Sequence, residues 1–268
     1  MKKSRDPLPP ARRPERPAAA VIWTSPPLHP AARSDEVHVW LLEIPGLAAL
    51  RPRLPALLEP EELARAERFR FDLDRDRFAL CRAALRLVLA RYVGRPPETL
   101  RFGEGPQGKP HLLAGGFPTI EFNLAHSGEL GILAIAGRAV GVDVERNDPE
   151  RSGADVARRF FAADEVDRLG GLPPRERSDA FFSCWTRKEA YLKARGEGLS
   201  LPLASFSVAF GDGAPPALVR SALGRKETAR WRLFDLPTLP GYAGALAVEG
   251  EGVRPAFWRF RSELFVGD

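Results

Sequence analysis

The spacing of apolar residues along the chain predicts strands and amphipathic helices in alternation. Apolar and β-branched residues from Val37 to Leu42 indicate a first strand. A helix is predicted to begin at Pro60, where proline precedes two glutamates, and a second to run from about Arg75 to Tyr92. The second helix has apolar residues at helical spacing, namely Phe78, Cys81, Leu85, Val88 and Leu89. Turn residues follow at 103–110 and strands at 117–122, 130–136 and 139–144.

The second part of the chain repeats this order. Helices are predicted at 163–169 and 178–194, and strands at 206–210, 230–234 and 243–248. Two short segments also recur: 128–135 resembles 241–248, and 78–81 resembles 181–184. The repeat predicts an α+β fold of two pseudo-symmetric halves, residues 35–140 and residues 141–268. We expect a functional cleft between them, near residue 141.

Charge is concentrated at the N-terminus. Residues 1–34 hold seven basic and two acidic residues and eight of the 26 prolines, and are predicted to form a disordered basic tail. An arm that touches phosphate or a membrane is the alternative. The tail carries the whole formal charge of +5, because residues 35–268 hold 33 basic and 33 acidic residues. This neutral body disfavours nucleic acid as a partner, although it can still contain a basic pocket for a small anion.

Other classes of protein are disfavoured by composition. No stretch approaches the roughly 18 apolar residues that a membrane span requires. Two cysteines exclude a disulfide scaffold and a cysteine-rich zinc site, and four histidines leave little room for a histidine-rich metal site. The first residues are charged and form no apolar leader, so we expect a cytoplasmic protein.

Acidic residues alternate with valines at 141–145. Asp143 and Glu145 should project from the same face of a strand, about 7 Å apart. They can converge on one hard cation, Mg²⁺ or Mn²⁺, or they can simply be solvated.

A second candidate lies on the helix at 178–194. Trp185, Glu189 and Lys193 are spaced four residues apart, which places them on one helix face. Glu189 and Lys193 can form an ordinary surface pair. Alternatively, Glu189 can complete a metal site or accept a proton from a hydroxyl, and Lys193 can hold a phosphate.

Two polar turns complete the candidate chemistry. Residues 123–128 read Asn-Leu-Ala-His-Ser-Gly at a strand end, which is either a polar turn or a phosphate-binding segment. A serine hydrolase is disfavoured, since no Gly-x-Ser-x-Gly elbow is present. Lys109 lies in a Gly-Lys-Pro turn that lacks the Walker A pattern, and no dinucleotide-binding glycine motif follows a strand.

Together and in this order, the motifs resemble the 4′-phosphopantetheinyl transferase superfamily, and its longer, monomeric Sfp-type branch in particular. The resemblance covers roughly residues 60–210. It is carried by Gly-Lys-Pro at 108–110, Phe-Asn-x-x-His-Ser at 122–127, Gly-x-Asp-x-Glu at 141–145, Arg-Phe-Phe-x-x-x-Glu at 159–165 and Trp-x-x-Lys-Glu-Ala-x-x-Lys at 185–193. It implies that fold, with the active site in the cleft between the halves.

The resemblance also implies an activity. Members move the phosphopantetheine arm of coenzyme A to a serine of an apo carrier protein, with Mg²⁺, and release adenosine 3′,5′-bisphosphate. By this resemblance the metal ligands are Asp143, Glu145 and Glu189, the catalytic residues are Asp143, Glu189 and Lys193, and the residues that contact coenzyme A are Lys109, His126, Lys193, Arg65 and Arg77. Glu189 also matches the residue proposed as base.

One position departs from the family pattern. The family often has serine before the histidine, where this chain has Ala125, so one hydrogen bond to the coenzyme is either missing or made by backbone. A non-catalytic phosphate- or nucleic-acid-binding module is the alternative, and a degenerate scaffold is a third possibility. The neutral body and the intact acids favour the enzyme. The sequence leaves open whether a fatty-acid, polyketide or peptide carrier is served.

Overall fold

The computed structural model describes residues 23–113, 120–148, 150, 153–211 and 213–265. Within this part, strands and helices alternate along the chain. The strands are β1 (Glu36–Glu43), β2 (Phe102–Glu104), β3 (Pro110–Leu112), β4 (Glu121–Ser127), β5 (Leu130–Ala136), β6 (Val140–Arg146), β7 (Phe206–Val208), β8 (Leu218–Ser221), β9 (Trp231–Asp235), β10 (Tyr242–Glu249) and β11 (Arg254–Arg259).

Helices occupy the segments between these strands. They are α1 (Leu54–Leu57), α2 (Pro60–Ala66), α3 (Asp72–Val93), α4 (Ala154–Phe160), α5 (Ala163–Gly171), α6 (Pro174–Arg195) and α7 (Arg225–Arg230). Short 3₁₀ segments lie at Ile44–Arg53, Pro97–Thr99, Gly198–Ser200, Leu203–Ser205 and Ser262–Leu264. Helices α3 and α6 each have 22 residues, and each ends at a glycine with positive φ, 64° at Gly94 and 71° at Gly196. None of the helices in the described part is long and apolar enough to cross a membrane.

The two sheets have the same order of corresponding strands. The first sheet has the order β11-β1-β5-β4 and the second has the order β6-β10-β9. When β11 is left out, the first sheet has the order β1-β5-β4 and the second has the order β6-β10-β9. In each sheet the central strand is the last of the three along the chain, and it pairs with the first on one side and with the second on the other. Each half also has a small hairpin, β2-β3 or β7-β8, and one long helix on its sheet. The predicted α+β fold of two similar halves is therefore confirmed.

A buried ion pair recurs in both halves at the repeat distance. Glu62 on α2 and Glu165 on α5 are 103 positions apart (165 − 62), and each accepts the backbone N–H at the start of its own helix. Glu62 also accepts from Arg86 of α3 at 2.7 Å, and Glu165 from Lys188 of α6 at 2.5 Å. Each short helix is thus fixed to the long helix of its half.

Three apolar cores hold the molecule together. One lies between α3 and the first sheet, and one between α6 and the second sheet. The third lies between the two sheets, where Val39 and Ile132 of the first half are buried with Val142 and Leu246 of the second. The halves are therefore joined by a continuous apolar interface, which burial of these side chains stabilises.

The last strand crosses back to the first half. β11 pairs in parallel with β1, although it lies within the predicted second half. The predicted boundary at residue 140 stays a prediction, but the strand order shows that the final segment extends the first sheet.

The expectation of a disordered tail over residues 1–34 is wrong for the residues from Trp23 onward, and residues 1–22 lie outside the described part. Trp23 packs on Phe257 with ring centroids 5.3 Å apart, and its indole N–H donates to the carbonyl of Pro237 at 2.8 Å. Thr24 hydrogen-bonds β11 through its backbone. One aromatic side chain therefore anchors a segment whose proline content suggested disorder.

Two local predictions also need correction. Residues 103–110 include the end of β2 and the start of β3, which form a hairpin rather than a loop alone. Residues 123–127, predicted as a turn after the strand, belong to β4 and pair with β5 as far as Ser127 opposite Leu130. The buried Asn123 side chain is accommodated because its Oδ1 accepts the backbone N–H of Val142 at 2.8 Å. Residues 117–119 of the predicted strand lie outside the described part.

Candidate active site

The acidic residues of β6 lie on the side of the strand that faces α6. The alternation of the strand places Val142 and Val144 in the core between the sheets. Asp143 takes the opposite side, where it forms an ion pair with Lys193 of α6. The expected alternation of one apolar and one polar face is what the strand shows.

Gly141 allows the close approach of α6 to β6. A Cβ at this position would lie 2.2 Å from the carbonyl oxygen of Ala190 and 2.2 Å from the nitrogen of Ala194, both in the helix backbone. Any larger residue would therefore push the helix away. Glu189 and Lys193 adjoin these contact residues, so the glycine sets their distance from the acids of β6.

Asp143 and Lys193 form the central ion pair. The Lys193 ammonium donates to Asp143 Oδ1 at 2.5 Å, and the Asp143 side chain is only 5% exposed. Burial raises the pKa of Asp143, and the Lys193 cation opposes that shift. Burial also disfavours the charge on Lys193, but Asp143, Glu189 and Glu145 outweigh it and raise the pKa of the lysine.

Glu189 lies one helical turn before Lys193. It lines a cavity of ≈ 270 Å³ together with Lys193, Lys109 and Asn123. Burial raises the pKa of Glu189, and the neighbouring carboxylates of β6 act in the same direction while Lys193 opposes them. A carboxylate with a raised pKa beside a cavity is a candidate proton acceptor.

The donor set fits a hard divalent cation. Within the described residues, no three Asp, Glu, His or Cys side chains are already grouped to hold a metal ion. The positive charge that now lies near Asp143, Glu145 and Glu189 is the ammonium of Lys193. However, Asp143 Oδ2 is buried and has no hydrogen-bond partner in the described part of the chain. A buried carboxylate oxygen without a donor fits a cation, and an all-oxygen donor set suits Mg²⁺ or Mn²⁺.

Ser127 contacts the acids rather than an open anion site. Its hydroxyl donates to Glu145 Oε2 at 2.8 Å. Its position in the sequence groups Ser127 with phosphate-holding residues, and no pattern in the sequence pairs it with Glu145. The pair forms only because the fold brings β4 beside β6.

A larger cavity, of ≈ 580 Å³, lies on the first-half side. His126 and Arg65 line it, together with Phe78 and with Arg82, a residue that sequence reasoning missed. Arg82 lies over the Phe102 ring at 4.3 Å and forms an ion pair with a carboxylate of α2. Arg65 is 63% exposed and lies 3.5 Å from an equally exposed glutamate. Its cation is therefore available to a ligand.

Arg77 and His126 lie close together beside this cavity. Arg77 donates to the carbonyl of Gly128 at 2.8 Å and forms an ion pair with Asp74 at 2.6 Å. Desolvation by surrounding protein, together with the cations of Arg77 and Lys193, lowers the pKa of His126. These cations of the two halves therefore act on one histidine, which links the two cavities electrostatically.

Lys109 is turned toward the backbone. Its ammonium donates to the carbonyls of Val140 at 3.0 Å and Ala194 at 3.2 Å, and lies 3.6 Å from Glu121. Burial lowers the pKa of this lysine, against the effect of Glu121. In this position Lys109 binds the C-terminal end of α6, where a cation is favourable.

Other motif residues support the site from behind. Lys188 is fully buried and donates to Glu165 and to the Phe206 carbonyl. Trp185 and the phenylalanines of α6 line a hollow of ≈ 180 Å³ that reaches Glu145. Ala125 is buried in the core between the sheets.

The sequence matches known families along most of its length. Residues 52–138 match the family described as 4′-phosphopantetheinyl transferase, N-terminal, and residues 139–247 match the 4′-phosphopantetheinyl transferase superfamily. The candidate residues on β6 and α6 lie in the second match, and Arg65, Arg77, Lys109 and His126 lie in the first.

Individual relatives carry the same description. The chain is 34% identical over 241 residues to the 4′-phosphopantetheinyl transferase HetI of Nostoc sp., covering 89% of this chain and 98% of that protein. It is 41% identical over 61% of its length to a putative 4′-phosphopantetheinyl transferase of Synechocystis sp., of which it covers 66%. The transferase Sfp of Bacillus subtilis is 33% identical over 58% of this chain and 68% of its own.

Proposed function

Because the chain belongs to the 4′-phosphopantetheinyl transferase superfamily and is an enzyme of that activity, we propose that its cleft transfers phosphopantetheine from coenzyme A to a serine of an apo carrier protein. The observation that carries the proposal is the ion pair of the buried Asp143 with Lys193, beside Glu189. It supplies an oxygen donor for a cation, a positive charge for a phosphate and a proton acceptor at one place.

Coenzyme A carries a pyrophosphate and a 3′-phosphate, so its site needs several cations. We assign the 3′-phosphate end to the larger cavity, where Arg65 and His126 line the wall and Arg77 adjoins the histidine. We assign the pyrophosphate to the neighbourhood of Lys193. Lys109 lines the same smaller cavity, and a phosphate contact would require its ammonium to leave the carbonyls it now binds.

Asp143, Glu145 and Glu189 would hold the divalent cation, Mg²⁺ or Mn²⁺. When bound, this cation supplies charge neutralisation for the phosphates and for the leaving group. The all-oxygen donor set and the unpartnered Asp143 Oδ2 support this assignment.

The reaction needs one proton acceptor and no covalent enzyme intermediate. The serine oxygen forms a bond to the phosphorus that carries pantetheine, and the bond from that phosphorus to the adenosine bisphosphate oxygen breaks. Adenosine 3′,5′-bisphosphate leaves with the electron pair. Glu189 accepts the hydroxyl proton, and its raised pKa makes its carboxylate a better base than an exposed glutamate.

The transfer can be tested by mass spectrometry of apo carrier proteins. Fatty-acid, polyketide and peptide carriers would each be incubated with enzyme, coenzyme A and Mg²⁺. A gain of the phosphopantetheine mass on the carrier serine is expected, and excess EDTA should abolish it. No gain on any carrier would refute the proposal, and a gain that EDTA leaves unchanged would remove the metal.

A further inference from the structure

We propose that Ser127 is a positioning residue that fixes Glu145 from across the cleft, an inference that rests on the function proposed above. Ser127 is the last residue of β4 in the first half, and Glu145 lies on β6 in the second. The hydroxyl oxygen lies 2.8 Å from Glu145 Oε2. A carboxylate assigned to the cation is thus held by the opposite half of the molecule.

The direction of this hydrogen bond is set by a second contact. The backbone N–H of Arg146 donates to Ser127 Oγ at 3.1 Å. Because an N–H can only donate and a hydroxyl has one hydrogen, that hydrogen is directed to Glu145. The hydroxyl therefore has one defined orientation, and its hydrogen bond restricts the conformations that the Glu145 side chain can adopt.

The turn that carries Ser127 is held on several sides. Arg77 of α3 donates to the carbonyl of Gly128, and the backbone N–H of Glu129 donates to Tyr242 Oη at 3.0 Å. A Cβ on Gly128 would lie 2.5 Å from Tyr242 Oη, so the turn fits closely against the second half. Ser127 therefore acts from a support that belongs to both halves.

This arrangement matches the role of groups that orient metal ligands. A carboxylate that binds a cation through one oxygen keeps its position better when its other contacts are fixed, and loss of such a contact typically weakens metal binding about 10–100-fold. Glu145 is only partly buried, so no apolar packing alone fixes its carboxylate. The hydrogen bond from Ser127 does so directly.

The test compares Ser127→Ala with Ser127→Thr in the full chain. Calorimetric titration with Mn²⁺, without and with coenzyme A, should show about 10-fold weaker binding for Ser127→Ala. The Mg²⁺ concentration for half-maximal transfer should rise by the same factor, while kcat at saturating Mg²⁺ stays within about threefold. Ser127→Thr keeps the hydroxyl and should recover most of the affinity.

Ser207→Ala is the matched control, because it also removes one serine hydroxyl, but one that hydrogen-bonds Asp164 and Arg220. Its Mn²⁺ affinity should equal that of wild type, and thermal unfolding should show all variants folded. Equal affinities for Ser127→Ala and wild type, or an equal loss in Ser207→Ala, would overturn the positioning role alone. A wild-type enzyme that binds no Mn²⁺ would overturn the proposed metal site as well.

Discussion

The activities lost on substitution of Asp143 and of Glu189 should respond differently to added metal, because only Glu189 is proposed to accept the proton of the carrier serine. Asp143→Ala removes a charged oxygen donor, so we expect a loss of rate that high Mg²⁺ partly restores. Glu189→Gln keeps the size and one oxygen but removes the proton acceptor. Its kcat should fall about 10²–10⁴-fold without recovery at high Mg²⁺. Steady-state rates over a Mg²⁺ series measure both.

Full recovery of the Glu189→Gln rate at high Mg²⁺ would mean that another group accepts the serine proton. Lys193→Ala provides an independent check, since its assigned partner is a phosphate. Calorimetry should show weaker binding of coenzyme A to Lys193→Ala than to Glu189→Gln. Unchanged affinity and rate for Lys193→Ala would return the lysine to an ordinary pair with Asp143.

His38 should make the fold sensitive to mild acid. The side chain is 2% exposed, and its Nδ1 lies 2.7 Å from Tyr92 Oη. Burial lowers its pKa below the ordinary 6.5, and Glu36 only partly opposes this. Below pH 6.5 the unfolded chain therefore binds more protons than the folded one, and the free energy of unfolding decreases as the pH falls.

Urea unfolding at about pH 7.5 and about pH 5.5 measures this effect, with both values chosen to bracket the ordinary histidine pKa. His38→Gln removes the titrating group, so the decrease in unfolding free energy between the two values should be smaller than in wild type. An identical decrease in both proteins would show that other groups, such as His126 or the carboxylates, account for it.

At the scale of elements, the contact of α6 with β6 depends on Gly141. Gly141→Ala would place a methyl group 2.2 Å from the helix backbone, so we expect a loss of about 1–3 kcal/mol or more and a lower transfer rate. Gly137→Ala is the control, since a Cβ there meets no atom of the described chain within 4 Å. Thermal unfolding of both variants measures this loss of stability, and a Tm for Gly141→Ala equal to that of wild type would contradict the prediction.

Long elements were predicted well because their apolar periodicity is strong. Both 22-residue helices and the central strands were found from sequence. The short strands β2, β3 and β8 and the short helices α1, α4 and α7 were missed, because three to seven residues give too few periods to recognise. β11 was missed for another reason, since its pairing with β1 joins residues more than 200 positions apart.

The sequence predicted which residues could take part in the site and on which face of their strand or helix they lie, but not which groups they contact. The spacing of Asp143 and Glu145 placed Asp143 on the polar face of β6, and the spacing of Glu189 and Lys193 placed both on the cavity side of α6. Sequence could not show that Lys109 binds backbone carbonyls or that Arg82 lines the larger cavity. Such facts depend on how distant elements pack, which local patterns do not encode.

The segment from Trp23 should contribute to the stability of the folded chain. Deletion of residues 1–34 removes the packing of Trp23 on Phe257 and the hydrogen bonds of Thr24, so we expect a loss of roughly 1–3 kcal/mol. Deletion of residues 1–22 keeps the contacts of Trp23 and Thr24 and is the control. Both variants should keep kcat, because no candidate site residue lies in the segment. Equal Tm values for the two deletions would show that the Trp23 contacts add nothing.

The backbone pairing of Thr24 with β11 also suggests that the chain can be circularly permuted. Because the first and last described segments run side by side, a flexible linker could join the two ends into a ring. Cutting that ring before Gly137, in an exposed turn, would give a circular permutant that begins with the second half and ends with the first. Every strand pair and both walls of the cleft would keep their neighbours, so the order in which the halves are synthesised should not matter for the finished enzyme.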